Sequence, residues 1–272
     1  MKYLIALVFL GAAGYLVQGN PVATWDRKPV NELNQRIVGG VDAPKDHVRH
    51  MVALVFGILY RSMMCGATII SYSHVLTAAH CIEPLVEWNG QLTSSLRGVI
   101  GTTEWKNEQI TVSFTHHINH EDWDSWNIKN DAGVLFVKGK IPLGDKIAVI
   151  PLESRFIVEE ESFVAGWGWN KSGMVPDTMQ ILNVTAISPE ECVDRIRHLP
   201  NILPYDPKVE ICSFHSKDHG NCYGDSGSAL VTRRTHRQIG IVSWGVPCAQ
   251  GFPDFYTRIS AIMNFLQRVM ES

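Results

Sequence analysis

The chain has 272 residues, of which 45% are hydrophobic and 19% are charged, so it can build a buried core and does not have the composition of a disordered protein. Its formal net charge of -3 provides no excess of positive charge to attract a nucleic acid or an acidic membrane surface, and we expect it to bind neither.

The N-terminus has the features of a secretion signal. Lys2 precedes an apolar stretch at residues 3–17, and the residues Val17 and Gly19 suit cleavage by signal peptidase after Gly19. A membrane anchor is the alternative, but it needs about 20 apolar residues, and this stretch is shorter. We therefore predict a signal peptide at residues 1–19 and a secreted protein in the extracellular space, where disulfides persist.

Residues 20–36 form a second segment, which is polar and contains Pro21 and Pro29. Such a segment buries little apolar surface, so we interpret it as a loose prosegment rather than a folded unit. Ordered structure is predicted to begin near Ile37.

Short β-rich runs, separated by clusters of Gly, Pro, Asn and Asp, occupy the chain from Ile37 to about residue 257. No long segment alternates strands with helices, so the pattern predicts an all-β sandwich or barrel, and periodicity alone does not choose between the two. The clearest runs are residues 51–59, 67–70, 134–137, 162–165 and 239–244.

The C-terminal tail has a clear helical period. Its apolar residues recur at intervals of three and four and form one stripe, which predicts a helix docked on the core. These residues are Ile259, Ile262, Met263, Leu266, Val269 and Met270.

The six cysteines, an even number, all follow residue 60. No Cys-x-x-Cys pair or Cys/His cluster has zinc spacing, so three disulfides are favoured over free or metal-binding thiols. A metal site at His116, His117 and His120 is a weaker alternative, because these residues fall in a predicted loop ahead of Asp131. We predict no metal and no cofactor.

Two short motifs carry chemistry. Gly224-Asp225-Ser226-Gly227 presents a serine in a tight glycine turn, and Thr77-Ala78-Ala79-His80-Cys81 places a histidine beside a cysteine. Hydrolysis by a serine needs a base, and a disulfide at Cys81 would hold the neighbouring His80 in place. Together the motifs predict nucleophilic catalysis.

With these motifs, the chain from Ile37 to the C-terminus resembles the trypsin and chymotrypsin family. The chain order His, Asp, Ser separates this family from subtilisins and α/β-hydrolases. The resemblance implies a protease domain at residues 37–272, built from two six-stranded antiparallel β-barrels and a C-terminal α-helix, with the active site in the cleft between the barrels. In the family's order, the motifs are Arg36-Ile37-Val38-Gly39-Gly40, Thr77-Ala78-Ala79-His80-Cys81, Asn130-Asp131, Gly166-Trp167-Gly168, Gly224-Asp225-Ser226-Gly227 and Ser243-Trp244-Gly245.

The resemblance assigns a catalytic triad in which His80 is the general base, Asp131 orients it and Ser226 is the nucleophile. Asp131 is favoured over other acids because the apolar run at residues 134–137 follows it. Backbone N–H groups of Gly224 and Ser226 are expected to form the oxyanion hole.

The chain departs from the usual family pattern at Ala132-Gly133, after the aspartate, and at Ser228-Ala229, where Gly-Pro is common. Neither departure removes a catalytic group. An intact triad favours an active enzyme over two alternatives, a catalytically silent homologue used as a binding module and a structural secreted protein.

The resemblance also implies the disulfide pairing. One pair would brace His80, and another would brace the loop that leads to Ser226. The pairs are Cys65 with Cys81, Cys192 with Cys212 and Cys222 with Cys248.

Two sequons, Asn170-Lys171-Ser172 and Asn183-Val184-Thr185, are candidate N-glycosylation sites of a secreted protein. Asn183 falls in a predicted strand, where we expect poor access.

The resemblance implies activation by proteolysis. A protease of trypsin-like specificity would cut after Arg36, and the new ammonium of Ile37 would insert and pair with Asp225. No cysteine precedes Cys65, so no disulfide would tether the released prosegment. Polypeptide substrates, this activating protease and protein inhibitors are the expected partners.

The predicted specificity pocket has an unusual charge. Gly220 stands where trypsin-like members carry the aspartate that selects Arg and Lys, and alignment from Ser243-Trp244-Gly245 onward places Asp254 on the opposite wall, with Gly245 keeping the entrance open. This combination resembles the broad-specificity, collagenolytic (brachyurin-type) proteases of arthropods, which accept basic and large apolar residues. If Asp254 is instead hydrogen-bonded away from the pocket, a chymotrypsin-like or elastase-like preference follows.

Overall fold

Strands dominate the part of the chain that the structure, a computed structural model, describes: residues 37–107, 110–200 and 202–272. The predicted signal peptide, the prosegment and Arg36 lie outside these residues. The strands are β1 (Val41–Asp42), β2 (Met51–Phe56), β3 (Ser62–Ile69), β4 (His74–Thr77), β5 (Arg97–Ile100), β6 (Thr111–Val112), β7 (Phe114–Asn119), β8 (Gly133–Val137), β9 (Glu160–Gly166), β10 (Gln180–Ala186), β11 (Glu210–Phe214), β12 (Ala229–Thr232), β13 (Gln238–Gly245) and β14 (Asp254–Arg258).

The first sheet has the strand order β6-β5-β2-β3-β4-β8-β7, with antiparallel pairing throughout. Only Ser113 separates β6 from β7, so one nearly continuous strand pairs with β5 at its start and with β8 along its remainder. This shared strand closes the sheet into a barrel of six strands, called the first barrel below.

The second sheet has the order β1-β10-β11-β14-β13-β12-β9, and β9 also pairs with β10. This additional pairing closes β9 to β14 into a second six-stranded barrel, and the two-residue strand β1 adds to its outer edge at β10. Closed barrels leave few unpaired strand edges. The prediction of two six-stranded antiparallel barrels is confirmed.

Each predicted run overlaps a strand of the structure, but two runs pass the end of their strand: residues 67–70 pass the end of β3 by one residue, and residues 51–59 pass the end of β2 by three. The predicted run continues to residue 59, whereas β2 ends at Phe56. Gly57 there adopts a φ of +115°, and a side chain at this position would collide with the carbonyl of Tyr60. The following residues, although apolar, form an exposed turn.

Three α-helices occur in the described residues: α1 (Ala79–Ile82), α2 (Pro189–Ile196) and α3 (Met263–Met270). The predicted C-terminal helix is confirmed as α3, which buries Phe265, Leu266 and Val269 against the core, while Ile259 lies buried in the turn before it. The sequence interpretation omitted α2. Its N-terminal signal was present, because Ser188 accepts a hydrogen bond from the Glu191 N–H at 3.2 Å and a proline follows this cap.

Asn183 corrects another expectation. It lies in β10 as predicted, but its side chain occupies an outward position of the alternating strand and is exposed. Poor access therefore does not follow from its place in a strand. In the described residues, no helix is long and apolar enough to cross a membrane.

Candidate active site

Strand pairing in the first barrel brings His80 and Asp131 together. Strand β4 leads into α1, which carries His80, and β8 follows Asp131; the two strands pair with Thr77 opposite Gly133. The disulfide between Cys65 on β3 and Cys81 on α1 fixes the helix beside this strand pair. Both side chains are thus positioned by the core of the first barrel.

The Asp131 carboxylate is fully buried and accepts several hydrogen bonds. Its Oδ2 lies 2.7 Å from His80 Nδ1, and its Oδ1 accepts the backbone N–H of His80 at 3.0 Å. Ser243 on β13 donates its hydroxyl to Oδ2 at 2.5 Å, and Thr257 on β14 donates to the Asp131 carbonyl at 2.8 Å. Groups from the second barrel therefore fix an acid that belongs to the first.

The environment of His80 favours its protonated form. Burial alone lowers the pKa of the imidazole, but the charge and hydrogen bond of Asp131, with the charge of Glu83, together raise the pKa above its ordinary value of 6.5. The side chain remains 34% exposed, so its outer edge is open to the cleft.

Ser226 lies in a turn that needs glycine on both sides. Gly224 and Gly227 have φ values of +95° and +80°, and a side chain at Gly227 would collide with Thr77 and with the carbonyl of Gly66. The Ser226 carbonyl accepts the N–H of Gly66 at 2.8 Å. This bond joins the serine turn to the first barrel, next to the segment that leads to His80.

Within the described residues, the hydroxyl of Ser226 makes no hydrogen bond to His80, whose Nε2 lies 3.8 Å from Cys81 Sγ. Bonds of this kind are often long without substrate and shorten when substrate binds. The backbone N–H groups of Gly224 and Ser226, the predicted oxyanion donors, likewise have no acceptor among the described residues.

The neighbouring Asp225 is fully buried and accepts hydrogen bonds from the N–H groups of Gly168 and Cys222 at 2.8 and 3.0 Å. A side chain at Gly166 or Gly168 would collide with this carboxylate, which explains both glycines of that motif. Burial raises the pKa of Asp225 to about 6, although the two N–H donors act in the opposite direction. No cation of the described residues pairs with it.

Ile37, the residue predicted to follow the activation cleavage, is also fully buried. It packs in a hydrophobic cluster of the second barrel with Val164 and Leu182. The next residue, Val38, forms a β-bridge with Gly220, where the Gly220 N–H donates to the Val38 carbonyl at 3.1 Å. The start of the predicted mature chain is therefore integrated into the second barrel.

A cavity of about 210 Å³ opens beside Ser226. Its lining includes all the predicted substrate-binding residues except Gly220, which is a close neighbour of Asp254. The lining residues are Asn221, Cys222, Tyr223, Ser226, Val242, Ser243, Trp244, Gly245, Pro247 and Asp254.

Asp254 is one of the residues that line this pocket, and it is only 8% exposed. Its Oδ2 accepts the Asn221 N–H at 2.9 Å, and a Cβ at Gly220 would lie 2.9 Å from the same oxygen. Burial raises the pKa of Asp254 to about 7; the Asn221 N–H acts against this shift, and the negative charge of Asp225 adds to it. The third disulfide, Cys222–Cys248, borders the pocket.

The structure contains the three disulfides that the resemblance implies, and they pair all six cysteines. They close loops of 16, 20 and 26 residues. In the chain-entropy model, each loop of this length stabilises the fold by about 3 kcal/mol.

The histidines near Asp131 are arranged differently from the sequence expectation. His116 and His117 lie on β7 rather than in a loop, and His116 stacks on Phe136 with ring centroids 4.0 Å apart. Among the residues described, the three potential metal ligands that lie close together are Cys65, His80 and Cys81. The two sulfurs of this group form a disulfide, so neither is a thiolate ligand.

Sequence reasoning missed several residues that support the site. Thr257 holds the Asp131 carbonyl, and Asn221 holds Asp254. Glu210 holds Trp244, because its carboxylate accepts the indole N–H at 2.6 Å. The order of strands in the second barrel makes these contacts, and no local sequence signal marks them.

Two closed barrels and a site between them define the architecture of a chymotrypsin-like serine protease. A family model described as trypsin matches residues 37–266. The chain is 30% identical over 247 residues to a chymotrypsin of Phaedon cochleariae, an alignment that covers 88% of this chain and 84% of the relative. It is 30% identical over 245 residues to trypsin V-B of Rattus norvegicus, with 89% and 92% covered, and 28% identical over 235 residues to chymotrypsin-2 of Vespa crabro, with 85% and 99% covered.

The chain therefore belongs to the trypsin family of serine proteases.

Proposed function

We propose that this chain is the secreted precursor of a serine endopeptidase, which hydrolyses peptide bonds through an acyl-enzyme at Ser226. The observation that carries the proposal is the bond between His80 Nδ1 and the buried Asp131 carboxylate, at 2.7 Å, beside a cavity that Ser226 lines. A carboxylate bound to one imidazole nitrogen leaves the other nitrogen as a proton acceptor, the state that a general base needs.

Acylation requires two proton transfers, one from Ser226 to His80 and one from His80 to the leaving amine. His80 Nε2 takes the Ser226 hydroxyl proton while the serine oxygen attacks the scissile carbonyl carbon. His80 then gives that proton to the amine nitrogen, the C–N bond breaks, and an ester to Ser226 remains. Water repeats the sequence: it loses a proton to His80 and attacks the ester, and the proton returns to Ser226 as the acid product leaves.

The N–H groups of Gly224 and Ser226, which have no acceptor among the described residues, are the proposed donors to the oxyanion of both tetrahedral intermediates. Positive φ at Gly224 lets the backbone present its N–H without a side chain in the way. Loss of one such donor lowers turnover by about a hundred- to a thousand-fold in enzymes of this type.

Activation is proposed to follow cleavage after Arg36. The support is electrostatic, because Asp225 is a buried carboxylate whose acceptors are satisfied by neutral N–H groups alone among the described residues. A buried charge without a counter-ion is costly, and the new ammonium of Ile37 would supply that counter-ion.

The proposed pocket accepts both basic and large apolar residues before the scissile bond, as in the brachyurin-type proteases. Asp254 supports this proposal because it lines the cavity, so that its carboxylate is within reach of an Arg or Lys side chain bound there. A Cβ at position 220 would lie only 2.9 Å from Asp254 Oδ2. The pocket therefore has room for an acidic side chain at position 220 or at position 254, but not at both. The apolar lining from Val242, Trp244 and Pro247 suits Phe or Leu.

Secretion and the extracellular partners complete the proposal. All six cysteines are paired, which suits an oxidising compartment, and both Asn170 and Asn183 belong to sequons. The partners are polypeptide substrates, an activating protease of trypsin-like specificity and protein inhibitors.

The test uses the proprotein, cleaved after Arg36, with peptide amides that carry Arg, Phe or Leu before the scissile bond. We expect hydrolysis by the wild type, loss of nearly all turnover in Ser226→Ala and His80→Ala, and no loss in Ser94→Ala, which changes an exposed turn serine. Normal turnover in Ser226→Ala would refute the assignment. An inert wild type whose N-terminus is Ile37 would refute the enzyme and favour a binding module.

A further inference from the structure

A buried carboxylate, Glu210, lies next to the proposed active site and has no role in the mechanism above. It is the first residue of β11 and is 2% exposed. Its Oε1 accepts Lys129 Nζ at 2.8 Å and Trp244 Nε1 at 2.6 Å, and its Oε2 accepts the Asp206 N–H at 2.7 Å. Hydrogen bonds to a charged acceptor are stronger than those between neutral groups.

This group of contacts joins the three segments that hold Asp131. Lys129 is two residues before Asp131 in the chain, and Trp244 follows Ser243, whose hydroxyl donates to the Asp131 carboxylate. Glu210 itself pairs with Thr257 across β11 and β14, and Thr257 donates to the Asp131 carbonyl.

The same contacts restrict the indole of Trp244. Its N–H is bound to Glu210, the Lys129 ammonium lies 5.2 Å from its ring centroid, and Phe255 stacks on it with centroids 3.9 Å apart and planes within 2°. An indole held at its polar edge and by its ring contacts has few rotamers left. Trp244 and Gly245 also line the proposed substrate cavity.

The ion pair is largely buried, because the side chains of Lys129 and Glu210 are only 14% and 2% exposed. Burial raises the pKa of Glu210, and the hydrogen bonds from Asp206 and Lys129 act in the opposite direction. Removal of Lys129 alone would leave a buried carboxylate without its cation, whereas removal of both charges is nearly neutral for a pair of this kind.

We propose that Lys129 and Glu210 are positioning residues, which form an ion pair across the two barrels and hold Trp244 in place for the substrate residues that precede the scissile bond. The inference rests on the proposed endopeptidase function. It predicts that the pair affects extended substrates, which would contact Trp244 with more than one residue, more than substrates with a single residue before the scissile bond. A contribution to folding alone would affect both substrate classes equally.

The experiment compares kcat/KM for a tetrapeptide amide and for a single-residue ester with the same residue before the scissile bond. The variants are Lys129→Met, Glu210→Gln and the double variant. The control is Lys106→Met, which removes an exposed ion pair. The side chains of its two members, Lys106 and Asp177, are 60% and 62% exposed. Thermal unfolding of each variant monitors the fold.

We expect Lys129→Met to lower the tetrapeptide-to-ester ratio about tenfold, the effect of one hydrogen bond to a charged group. The double variant retains a neutral acceptor for the Trp244 N–H, and we expect it to recover to within about threefold of the wild type. Lys106→Met should leave the ratio unchanged.

An unchanged ratio in folded Lys129→Met overturns the proposal, as does a double variant that loses the sum of the two single losses. If Lys129→Met does not fold, the tetrapeptide-to-ester ratio of Glu210→Gln is compared with that of the double variant. Coupling between the two residues requires the second substitution to restore activity, so a double variant with a ratio no higher than that of Glu210→Gln overturns the proposal. A wild type that hydrolyses neither substrate refutes the endopeptidase itself, an outcome distinct from an unchanged ratio.

Discussion

Asp254 should make the substrate preference of the pocket depend on pH. Its pKa of about 7 places the change between a neutral and a charged pocket near physiological pH. Only a cationic side chain before the scissile bond uses this charge, so kcat/KM for an Arg substrate should rise with pH relative to that for a Phe substrate.

The size of the effect follows from the ionised fraction of Asp254. With a pKa of about 7, this fraction is about one tenth at pH 6 and about nine tenths at pH 8, so the Arg-to-Phe ratio should rise about tenfold across this interval. The profile of kcat/KM reports the free enzyme, and no cation of the described residues pairs with Asp254 there. His80 contributes equally to both substrates and therefore cancels in the ratio.

The assay measures kcat/KM for two peptide amides that differ only in Arg or Phe, from pH 6 to pH 8.5. In Asp254→Asn the ratio should be low and independent of pH, and Asp254→Gly should lose Arg cleavage far more than Phe or Leu cleavage. A wild-type ratio that does not change with pH, or equal losses for both substrates in Asp254→Gly, would refute the reasoning.

Three further predictions follow from the same structure. Because the His80 pKa is raised and its neutral form is the base, kcat/KM should fall on acidification with a midpoint above pH 6.5. Asp131→Asn should move this midpoint to lower pH and reduce turnover by about ten-thousand-fold, the loss known for this family's template. A wild-type midpoint at or below pH 6.5 would contradict this. Arg36→Gln should remain inactive after treatment with a trypsin-like protease, with N-terminal sequencing as the readout, and full activity in the uncut variant would exclude the Ile37–Asp225 pair. The folded-state pKa of Asp254 lies above the ordinary 3.8, so the folded protein holds this proton more tightly than the unfolded chain does, and its stability should fall as pH rises from about 4 to about 7. In thermal unfolding, Asp254→Asn should remove this part of the dependence of stability on pH. An identical dependence in the variant would count against the prediction.

The sequence predicts the parts of the site that short motifs encode. The glycines around Ser226 and the cysteine next to His80 are adjacent in the chain, so their chemistry can be inferred locally. Alternating and apolar runs likewise locate strands such as β8 and β13, because burial on a barrel wall imposes that pattern.

The remaining features depend on contacts between segments far apart in the chain. Glu210 and Lys129 are 81 residues apart, and each alone resembles an ordinary surface charge in the sequence. Closure of the first barrel through β6 and β7 also requires knowledge of which strands pair. The helix α2 is hard to predict for a different reason, since only Cys192 and Ile196 of its eight residues are buried, and so few apolar residues give little signal despite a clear N-terminal cap.

The most direct test of the account is covalent labelling of the activated protein with a serine-directed phosphonate, followed by mass spectrometry of the intact chain and of its peptides. The account predicts one phosphonate per molecule, attached to Ser226, and no labelling of His80→Ala under the same conditions, because the nucleophile needs its base. Labelling at another serine, or an unlabelled protein whose N-terminus is Ile37, would contradict it.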